Sequence, residues 1–294
     1  MAGVKEECER VGKECGARRE GETCAAGETL APAHKFSQVR LLVAVMSGKG
    51  GVGKSSVSAL LATTLSRQGH RVGILDADVT GPSIPKLFGI KERVDGSEFG
   101  VYIPKSPKLG VFVMSASLFL EREDVPVIWR GPVISDVVRR FWSDVAWGKL
   151  DYLIVDLPPG TGDAPLTVMQ SLPLSGVIVV SSPQDLAVMV VRKAIKMAEE
   201  MKVPLIGLVE NMTYLKCGKC SQKIFAFGEP QGEEVAAETG VPLLAALPLD
   251  PELSRLGDAG RIEDYDPTGL EELAGTLEER LKSFSKTARL LFKQ

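Results

Sequence analysis

A glycine-rich segment with two lysines, Gly48 to Ser55, is the clearest place in this sequence where chemistry can occur. It follows an apolar run, Leu41 to Met46, and precedes a stretch with helical character. In a strand–turn–helix setting, glycines let successive backbone N–H groups face phosphate oxygens, and the helix N-terminus adds positive potential. Lys54 can then reach the β- and γ-phosphates, and the Ser55 hydroxyl can ligate Mg²⁺. The predicted phosphate-binding residues are Gly48, Lys49, Gly50, Gly51, Val52, Gly53, Lys54, Ser55 and Ser56.

Lys49, directly after the first glycine, puts a second ammonium group in the same small anion site. Two such groups repel each other unless a polyphosphate lies between them. This lysine makes the segment resemble the deviant P-loop of the MinD, ParA and nitrogenase iron protein class, K-G-G-x-G-K-[ST]. The resemblance implies that Lys49 reaches across a two-fold interface to phosphates held by a partner chain. The alternative is a solvated surface lysine.

Acidic residues follow two further predicted strands. Asp76 and Asp78 come after one apolar run, and Asp156 ends another. Carboxylates at the carboxyl ends of parallel strands lie on the ligand-binding edge of an open α/β sheet. Asp78 is predicted to orient the attacking water and Asp76 to support the magnesium shell, unless Asp76 only caps the next helix. Asp156 is predicted to act on Mg²⁺ directly or through its ligands. Lys49, Lys54 and Asp78 are thus the catalytic candidates.

A turn with the sequence Pro-Pro-Gly-Thr-Gly follows Asp156. We expect this turn to sense the γ-phosphate and to move when that group leaves.

Cys217 and Cys220 form a C-x-x-C pair, a spacing that brings two thiolates to one metal. The flanking sequence lacks the features of a thioredoxin-type redox site. Two thiols cannot complete a four-thiolate shell, and the sequence has no second C-x-x-C, whereas a two-fold dimer repeats the pair across its axis. The spacing alone does not choose between Zn²⁺ and a [4Fe–4S] cluster, and a redox pair or inert thiols are further alternatives.

Several segments together resemble the Mrp/ApbC-type ATPases, which are cytosolic iron–sulfur cluster scaffolds and carriers. The resemblance is carried by Gly48–Ser55, Asp76–Pro85, Asp156–Asp163, Asn211–Met212 and Cys217–Cys220. It favours a [4Fe–4S] cluster over zinc at the cysteine pair. It also implies that Asn211 reads the edge of adenine and that the backbone around Pro248 flanks the base. The alternative for Asn211 is a turn-forming residue.

The first 37 residues are predicted to form an extension, and residues 38–294 the nucleotide-binding domain. The extension is polar and has neither helical nor strand periodicity, so we expect it to be mobile or ordered by a metal. It contains Cys8, Cys15 and Cys24. Relatives with such an extension carry four closely spaced cysteines, whereas these three are widely spaced. His34 is a candidate fourth ligand, and a solvated histidine is the alternative.

Alternating strands and helices must position these side chains. Strands are predicted at residues 40–47, 71–76, 111–115, 152–156, 176–181, 204–210 and 243–247, and helices at 56–68, 135–147 and 186–201. This order predicts an α/β fold with a doubly wound, mainly parallel sheet of the P-loop NTPase type. The cysteine pair is expected on a loop insertion near the axis of a homodimer.

The composition limits the possible partners. The chain has 294 residues, 44% of them hydrophobic and 25% charged, as in soluble globular proteins. A net charge of −3 gives no global basic field for nucleic acid, and no apolar run is long enough to cross a bilayer. The N-terminal region has no apolar segment of the kind found in secretory signals. The five cysteines are therefore expected to be reduced thiols, in a cytoplasmic protein.

An amphipathic basic segment at the C-terminus is the one feature of the sequence that suggests contact with a membrane. Its apolar residues at helical spacing are Leu277, Leu281, Phe284, Ala288 and Leu291. Such a helix packs on its own domain or dimer mate, or it lies on an anionic membrane.

The leading hypothesis is a homodimer that binds Mg-ATP and hydrolyses ATP slowly. It holds a [4Fe–4S] cluster between its subunits and transfers the cluster to apo iron–sulfur client proteins. A second hypothesis is a MinD/ParA-like switch that uses ATP to dimerise on a membrane or DNA, which leaves the cysteine pair unused. A third is an ATP-driven reductase similar to nitrogenase iron protein.

Overall fold

The structure is a computed structural model that describes residues 31–79, 81–94, 96–97, 100–119, 131–183, 187–266, 270, 273–277 and 279–281. Within these residues the strands are β1 Gln38–Ser47, β2 Val72–Asp76, β3 Gly96–Ser97, β4 Gly100–Val101, β5 Phe112–Ser115, β6 Lys149–Asp156, β7 Gly176–Ser181, β8 Leu205–Glu210, β9 Leu215–Lys216, β10 Lys223–Ile224 and β11 Leu243–Ala246. The α-helices are α1 Lys54–Arg67, α2 Ile84–Leu87, α3 Gly131–Ser143, α4 Asp163–Ser171, α5 Ala187–Glu200, α6 Gly232–Thr239 and α7 Pro251–Asp258.

One parallel sheet of seven strands, in the order β11-β8-β7-β1-β6-β2-β5, forms the centre of the described part of the chain. The chain runs from β1 to β2 and β5, returns to β6 beside β1, and then crosses to β7, β8 and β11. Because crossovers between parallel strands are right-handed, these opposite directions place helices on both faces of the sheet. The prediction of a doubly wound, mainly parallel α/β fold is confirmed.

The strands are buried on both faces, which explains why the sequence shows continuous apolar runs and no alternation there. Every residue of β2 and β7 is buried. The predicted strands agree with the observed ones to within about three residues at each end.

The helix predicted at residues 135–147 was placed too far along the chain. The observed α3 ends at Ser143, and Trp147 lies in the connection before β6. Trp147 is nonetheless fully buried, and its indole N–H donates a hydrogen bond of 3.0 Å to the carbonyl oxygen of Phe141. Burial of an aromatic residue outside a helix produced the apolar periodicity that was interpreted as helix.

The segment just before β1 packs against the domain. The indole N–H of Trp142 donates to the carbonyl oxygen of Ala31 at 2.8 Å, and the Ser37 hydroxyl donates to that of Val145 at 3.1 Å. Cys8, Cys15 and Cys24 lie outside the described residues. The boundary between an extension and a domain at residues 37 and 38 therefore stays a prediction.

Part of the amphipathic C-terminal segment is described, and it contributes to the core. Leu277 and Leu281 are both buried in the same apolar cluster as the sheet. Phe284, Ala288 and Leu291 lie outside the described residues. Among the helices that the structure describes, none is long and apolar enough to cross a membrane.

Candidate functional site

The glycine-rich loop connects β1 to α1 at the carboxyl edge of the sheet. Gly51 and Gly53 have φ angles of 83° and 79°, in the left-handed region that favours glycine. Gly53 is the N-cap of α1, and no side chain in the described part of the chain makes a capping hydrogen bond there. A Cβ built on Gly50 or Gly51 would face open space. The first-turn N–H groups and this open side of the loop fit an anionic ligand such as a nucleotide phosphate.

Neighbouring elements pack tightly on both ends of this loop. A Cβ on Gly48 would lie 2.4 Å from a methyl carbon of Val190 in α5, and a Cβ on Gly53 would lie 2.3 Å from the side-chain nitrogen of Asn211. These glycines are therefore required by close approach, in addition to any contact with phosphate.

Three side chains of the loop and α1 converge on the carboxylate of Asp156. The Lys54 ammonium lies 2.8 Å from Asp156 Oδ2, and the Ser55 hydroxyl donates to the same oxygen at 2.6 Å. The Ser58 hydroxyl donates to Oδ1, also at 2.6 Å. Because Lys54 and Asp156 are both buried, each charge needs its partner. The predicted phosphate-binding lysine, the predicted Mg²⁺-binding serine and the predicted acidic residue thus meet at one point.

Ser58 is a member of this site that the sequence analysis missed. It lies one helical turn after Lys54 and is fully buried among apolar neighbours on α1. A hydroxyl within an otherwise apolar helical stripe, four residues after the P-loop lysine, was the available signal.

Asp76 lies beside Asp156, because the register of β2 on β6 pairs these two residues. Its carboxylate accepts hydrogen bonds from the backbone N–H groups of Ser83 at 3.1 Å and Ile84 at 3.2 Å, at the start of α2. Burial first, and then the charge of Asp156, raise the pKa of Asp76 to about 8. Asp76 therefore holds the first turn of α2, as the alternative interpretation expected, and its role in the magnesium shell stays a prediction.

Asp78 and Lys49 border the same edge of the sheet. Asp78 is half-buried two residues after β2, and its Oδ1 accepts a hydrogen bond from the Gly81 N–H at 3.1 Å. Lys49 is exposed, and its carbonyl oxygen accepts a hydrogen bond from the Ser47 hydroxyl at 2.9 Å. Their predicted catalytic roles stay predictions.

The Pro-Pro-Gly turn is hydrogen-bonded to the strand that leads into the P-loop. The Leu157 N–H donates to the Val45 carbonyl oxygen at 3.0 Å, and the Gly160 N–H donates to that of Ser47 at 2.9 Å. The turn thus ends beside the first residue of the P-loop. If the turn moves, either these two hydrogen bonds break or the end of β1 moves with it.

The Asn211 amide touches the P-loop itself. Its side-chain nitrogen donates to the carbonyl oxygen of Val52 at 2.9 Å, and the side chain is buried. Pro248 lies half-buried in a segment hydrogen-bonded to the chain just after β8, through the Leu249 N–H and the Tyr214 carbonyl oxygen at 2.8 Å. Contact of Asn211 and Pro248 with adenine stays a prediction.

The cysteine pair lies at the tip of a short antiparallel hairpin formed by β9 and β10, between β8 and β11. The Cys217 N–H donates to the Gln222 carbonyl oxygen, and the Ser221 N–H donates to that of Cys217, both at 2.9 Å. Hydrogen bonds from the backbone N–H groups of Cys220 and Lys219, and from the Cys220 thiol, lower the pKa of Cys217. The turn is therefore shaped to stabilise a thiolate at Cys217.

Two thiols are all that this hairpin offers to a metal. Throughout the residues that the structure describes, no group of three or more His, Cys, Asp or Glu side chains is arranged to hold a metal ion. A four-ligand site at Cys217 and Cys220 therefore needs ligands from outside this part of the chain. The position of the hairpin relative to a dimer axis stays a prediction.

Comparisons with known proteins agree with these motifs. A family model described as ParA, NUBPL iron-transfer P-loop NTPase, matches residues 38–280. The iron-sulfur cluster carrier protein of Clostridium perfringens is 40% identical to the chain over 268 residues, which are 89% of this chain and 92% of that protein.

Solved structures give the same fold. The nucleotide-binding protein of Archaeoglobus fulgidus in complex with ADP is 47% identical, with a TM-score of 0.71 over 78% of this chain and 90% of that one. The cell division ATPase MinD of Pyrococcus furiosus gives a TM-score of 0.57 at 19% identity, over 81% of this chain and 98% of that one. At that identity, the similarity to MinD concerns the fold alone.

Proposed function

Because the chain belongs to the family of NUBPL iron-transfer P-loop NTPases, we propose that it is an ATP-binding carrier of iron–sulfur clusters. The resemblance to cluster-carrier ATPases predicted from the motifs is confirmed by that family. In this proposal the protein binds Mg-ATP, hydrolyses it slowly, and transfers a [4Fe–4S] cluster from a homodimer to apo iron–sulfur proteins in the cytoplasm. The observation that carries the proposal is an exposed two-thiol hairpin whose root is hydrogen-bonded to a nucleotide-binding loop.

The nucleotide site acts through groups that are already close together. Backbone N–H groups from Gly51 to Ser55 bind phosphate oxygens, and Lys54 exchanges the Asp156 carboxylate for a phosphate oxygen. Ser55 and Asp156 would hold Mg²⁺, and the bound ion would supply positive charge against the phosphates. Asp78, two residues beyond β2, orients the water that attacks the γ-phosphate.

Lys49 provides a reason for the nucleotide site to depend on a partner chain. Its side chain is exposed on the loop. Across a two-fold interface it reaches the phosphates held by the other subunit, as the resemblance to deviant P-loops implies. Nucleotide binding and subunit contact are then linked, since the phosphate charge offsets the repulsion between the lysines.

The thiol site is likewise completed by a second subunit. Each hairpin supplies Cys217 and Cys220, and an isologous interface repeats the pair, which gives the four thiolates of a [4Fe–4S] site. The same hairpin carries two large apolar side chains that are partly in solvent, Ile224 at 47% and Phe225 at 38% exposure. Exposed apolar groups beside an incomplete ligand set suit a contact with another protein surface.

The MinD/ParA-like alternative has less support. Its structural likeness is a fold likeness at low identity, and it gives the thiol hairpin no role. The proposal includes no contact with nucleic acid or a membrane.

Anaerobic reconstitution with iron and sulfide tests the cluster claim. Wild-type protein should give broad visible absorbance that corresponds to one [4Fe–4S] cluster per dimer, and Cys217→Ala and Cys220→Ala should each lose it. Ser221→Ala, a change in the same turn that removes no thiol, is the matched control and should keep the cluster. Stoichiometric zinc in protein purified without oxygen, or a strictly monomeric protein under all nucleotide and metal conditions, would refute the claim.

A further inference from the structure

The thiol hairpin has an unusual charge. Residues 211–228 contain Lys216, Lys219 and Lys223 but no arginine, aspartate or glutamate, although the whole chain carries a net charge of −3. All three lysines are exposed. Within the part of the chain that the structure describes, none of them forms an ion pair with a carboxylate. The hairpin is therefore a small positive surface on an acidic protein.

The register of the hairpin brings two of these charges together. Lys216 in β9 pairs directly with Lys223 in β10. Like charges directly opposite each other in an antiparallel pair are unfavourable. The Lys223 ammonium lies 4.3 Å from the centroid of the Tyr214 ring, which holds its charge beside the residue that precedes β9. An anion bound at the tip would relieve the repulsion between the paired lysines.

The third lysine, Lys219, lies between the two cysteines in the exposed turn of the hairpin. The paired Lys216 and Lys223 lie directly behind this turn, at the ends of β9 and β10. Positive charge beside two thiols favours negative charge on their sulfur atoms.

A two-fold assembly doubles the number of lysines near the thiol site. Two hairpins bring six lysines towards one axis, so without an anion their charges oppose the approach. A [4Fe–4S] core ligated by four thiolates is a dianion, and the same lysines then attract it. Reduction by one electron adds a further negative charge, which these cations favour.

We propose that Lys216, Lys219 and Lys223 are positioning residues that bind the negative charge of the thiolate-ligated cluster, so that the two hairpins stay together only while the cluster lies between them. This inference rests on the proposed function and deepens it. The lysines slow the loss of the cluster and raise its reduction potential. They also keep the cluster-free hairpins apart, so that a carrier that has delivered its cluster opens.

The test compares two double variants of the full-length protein with the same change in net charge. Lys216→Gln/Lys223→Gln neutralises the cross-strand pair. Lys105→Gln/Lys149→Gln is the matched control, because both of its lysines are exposed and the Lys105 ammonium also lies over an aromatic ring, 4.6 Å from the centroid of Phe112. Each protein is loaded with cluster anaerobically. We then measure the rate of cluster loss to a chelator at low and high salt, the midpoint potential in a redox titration, and the oligomeric state with and without cluster.

The hairpin variant should lose its cluster about tenfold faster than wild type at low salt. It removes four positive charges per dimer, and each exposed charge contributes only part of this change in rate. Its loss rate should be nearly independent of salt, and its potential should be lower than that of wild type. Its cluster-free form should dimerise more readily than cluster-free wild type. The control variant should behave as wild type in all four respects.

Different failures have different meanings. If wild type assembles a cluster at Cys217 and Cys220 but the hairpin variant matches it in retention, salt dependence and potential, the inference is overturned and the proposed function stands. If wild type assembles no cluster, the proposed function fails first. Equal thermal stability of both variants excludes a folding defect as the cause of any change.

Discussion

At the scale of single residues, Asp76 combines full burial with a second carboxylate as its neighbour across the sheet. Burial and the charge of Asp156 make ionisation of Asp76 costly in the native state. They therefore raise its pKa to about 8, from an ordinary value of 3.8. Between those two values the native protein keeps a proton that the unfolded chain has lost. The free energy of unfolding therefore falls as the pH rises through this window, and it levels off above about pH 8.

Asp76→Asn should remove this part of the pH dependence. Relative to wild type, the variant should be more stable at about pH 8 than at about pH 5, as measured by urea unfolding without nucleotide. Asp264→Asn is the matched control, because hydrogen bonds from Lys108 and Arg261 lower the pKa of Asp264 from its ordinary value of 3.8, so this change should add no pH dependence between about pH 5 and pH 8. The stability from that residue is present at neutral pH and is lost as the pH falls below its ordinary value. A difference between Asp76→Asn and wild type that does not change with pH would contradict the assignment.

Residue types and spacing were enough to predict Lys54, Ser55 and Asp156 as one site, because each lies at a fixed point after a strand. They did not predict Ser58, since its role depends on the distance between α1 and β6. They also did not predict that the Asn211 amide bonds to Val52, 159 residues earlier. Long-range hydrogen bonds of this kind follow from packing, which the local pattern does not specify.

At the scale of elements, the P-loop and the segment that follows β8 pack closely against each other at Gly53. Two separate effects oppose a side chain there. The φ angle of 79° is unfavourable for any L-residue other than glycine. In addition, a Cβ would lie 2.3 Å from the Asn211 side-chain nitrogen, so the amide would have to leave its place.

Gly53→Ala should therefore lower the free energy of unfolding by more than backbone strain alone, which is about 1–3 kcal/mol. Gly69→Ala is the matched control, because Gly69 has a φ of 90° but a Cβ there would meet no atom within 4 Å. Chemical unfolding should show the larger loss for Gly53→Ala. A double variant with Asn211→Ala should recover part of the difference, since it removes the clashing amide. Equal losses for the two glycines would show that the clash has no energetic effect.

The sequence predicts strands well where burial is uniform along the strand. The central strands are continuous apolar runs, and their bounds followed from that pattern. The β9–β10 hairpin was missed as an element because each strand has two residues and most of its side chains are exposed. Backbone hydrogen bonds within the turn close this hairpin, and they leave no periodic pattern in the side chains.

At the scale of the whole molecule, the nucleotide site and the thiol hairpin are connected by one short stretch of chain. Asn211 bonds to the P-loop, Met212 has a φ of 60°, and β9 begins three residues later. A left-handed conformation is uncommon for methionine and stores strain at this point. The Thr213 N–H and hydroxyl both donate to the Leu247 carbonyl oxygen, at 2.9 and 2.8 Å, which fixes the stretch on its other side. We therefore expect a shift of the P-loop to reach the root of the hairpin.

This connection predicts a reciprocal coupling. If ATP changes the equilibrium affinity for the cluster by some factor, the cluster must change the affinity for ATP by the same factor. Asn211→Ala removes the bond to Val52 and should bring that factor close to one, whatever it does to ATP affinity itself. The measurement is ATP affinity with and without bound cluster, by calorimetry under anaerobic conditions. Thr239→Ala is the control: it removes a part-buried hydrogen bond from a hydroxyl to the Val235 carbonyl oxygen within α6, and it should leave the factor unchanged. A factor that is the same in wild type and Asn211→Ala would mean that the two sites communicate by another route, through the subunit interface.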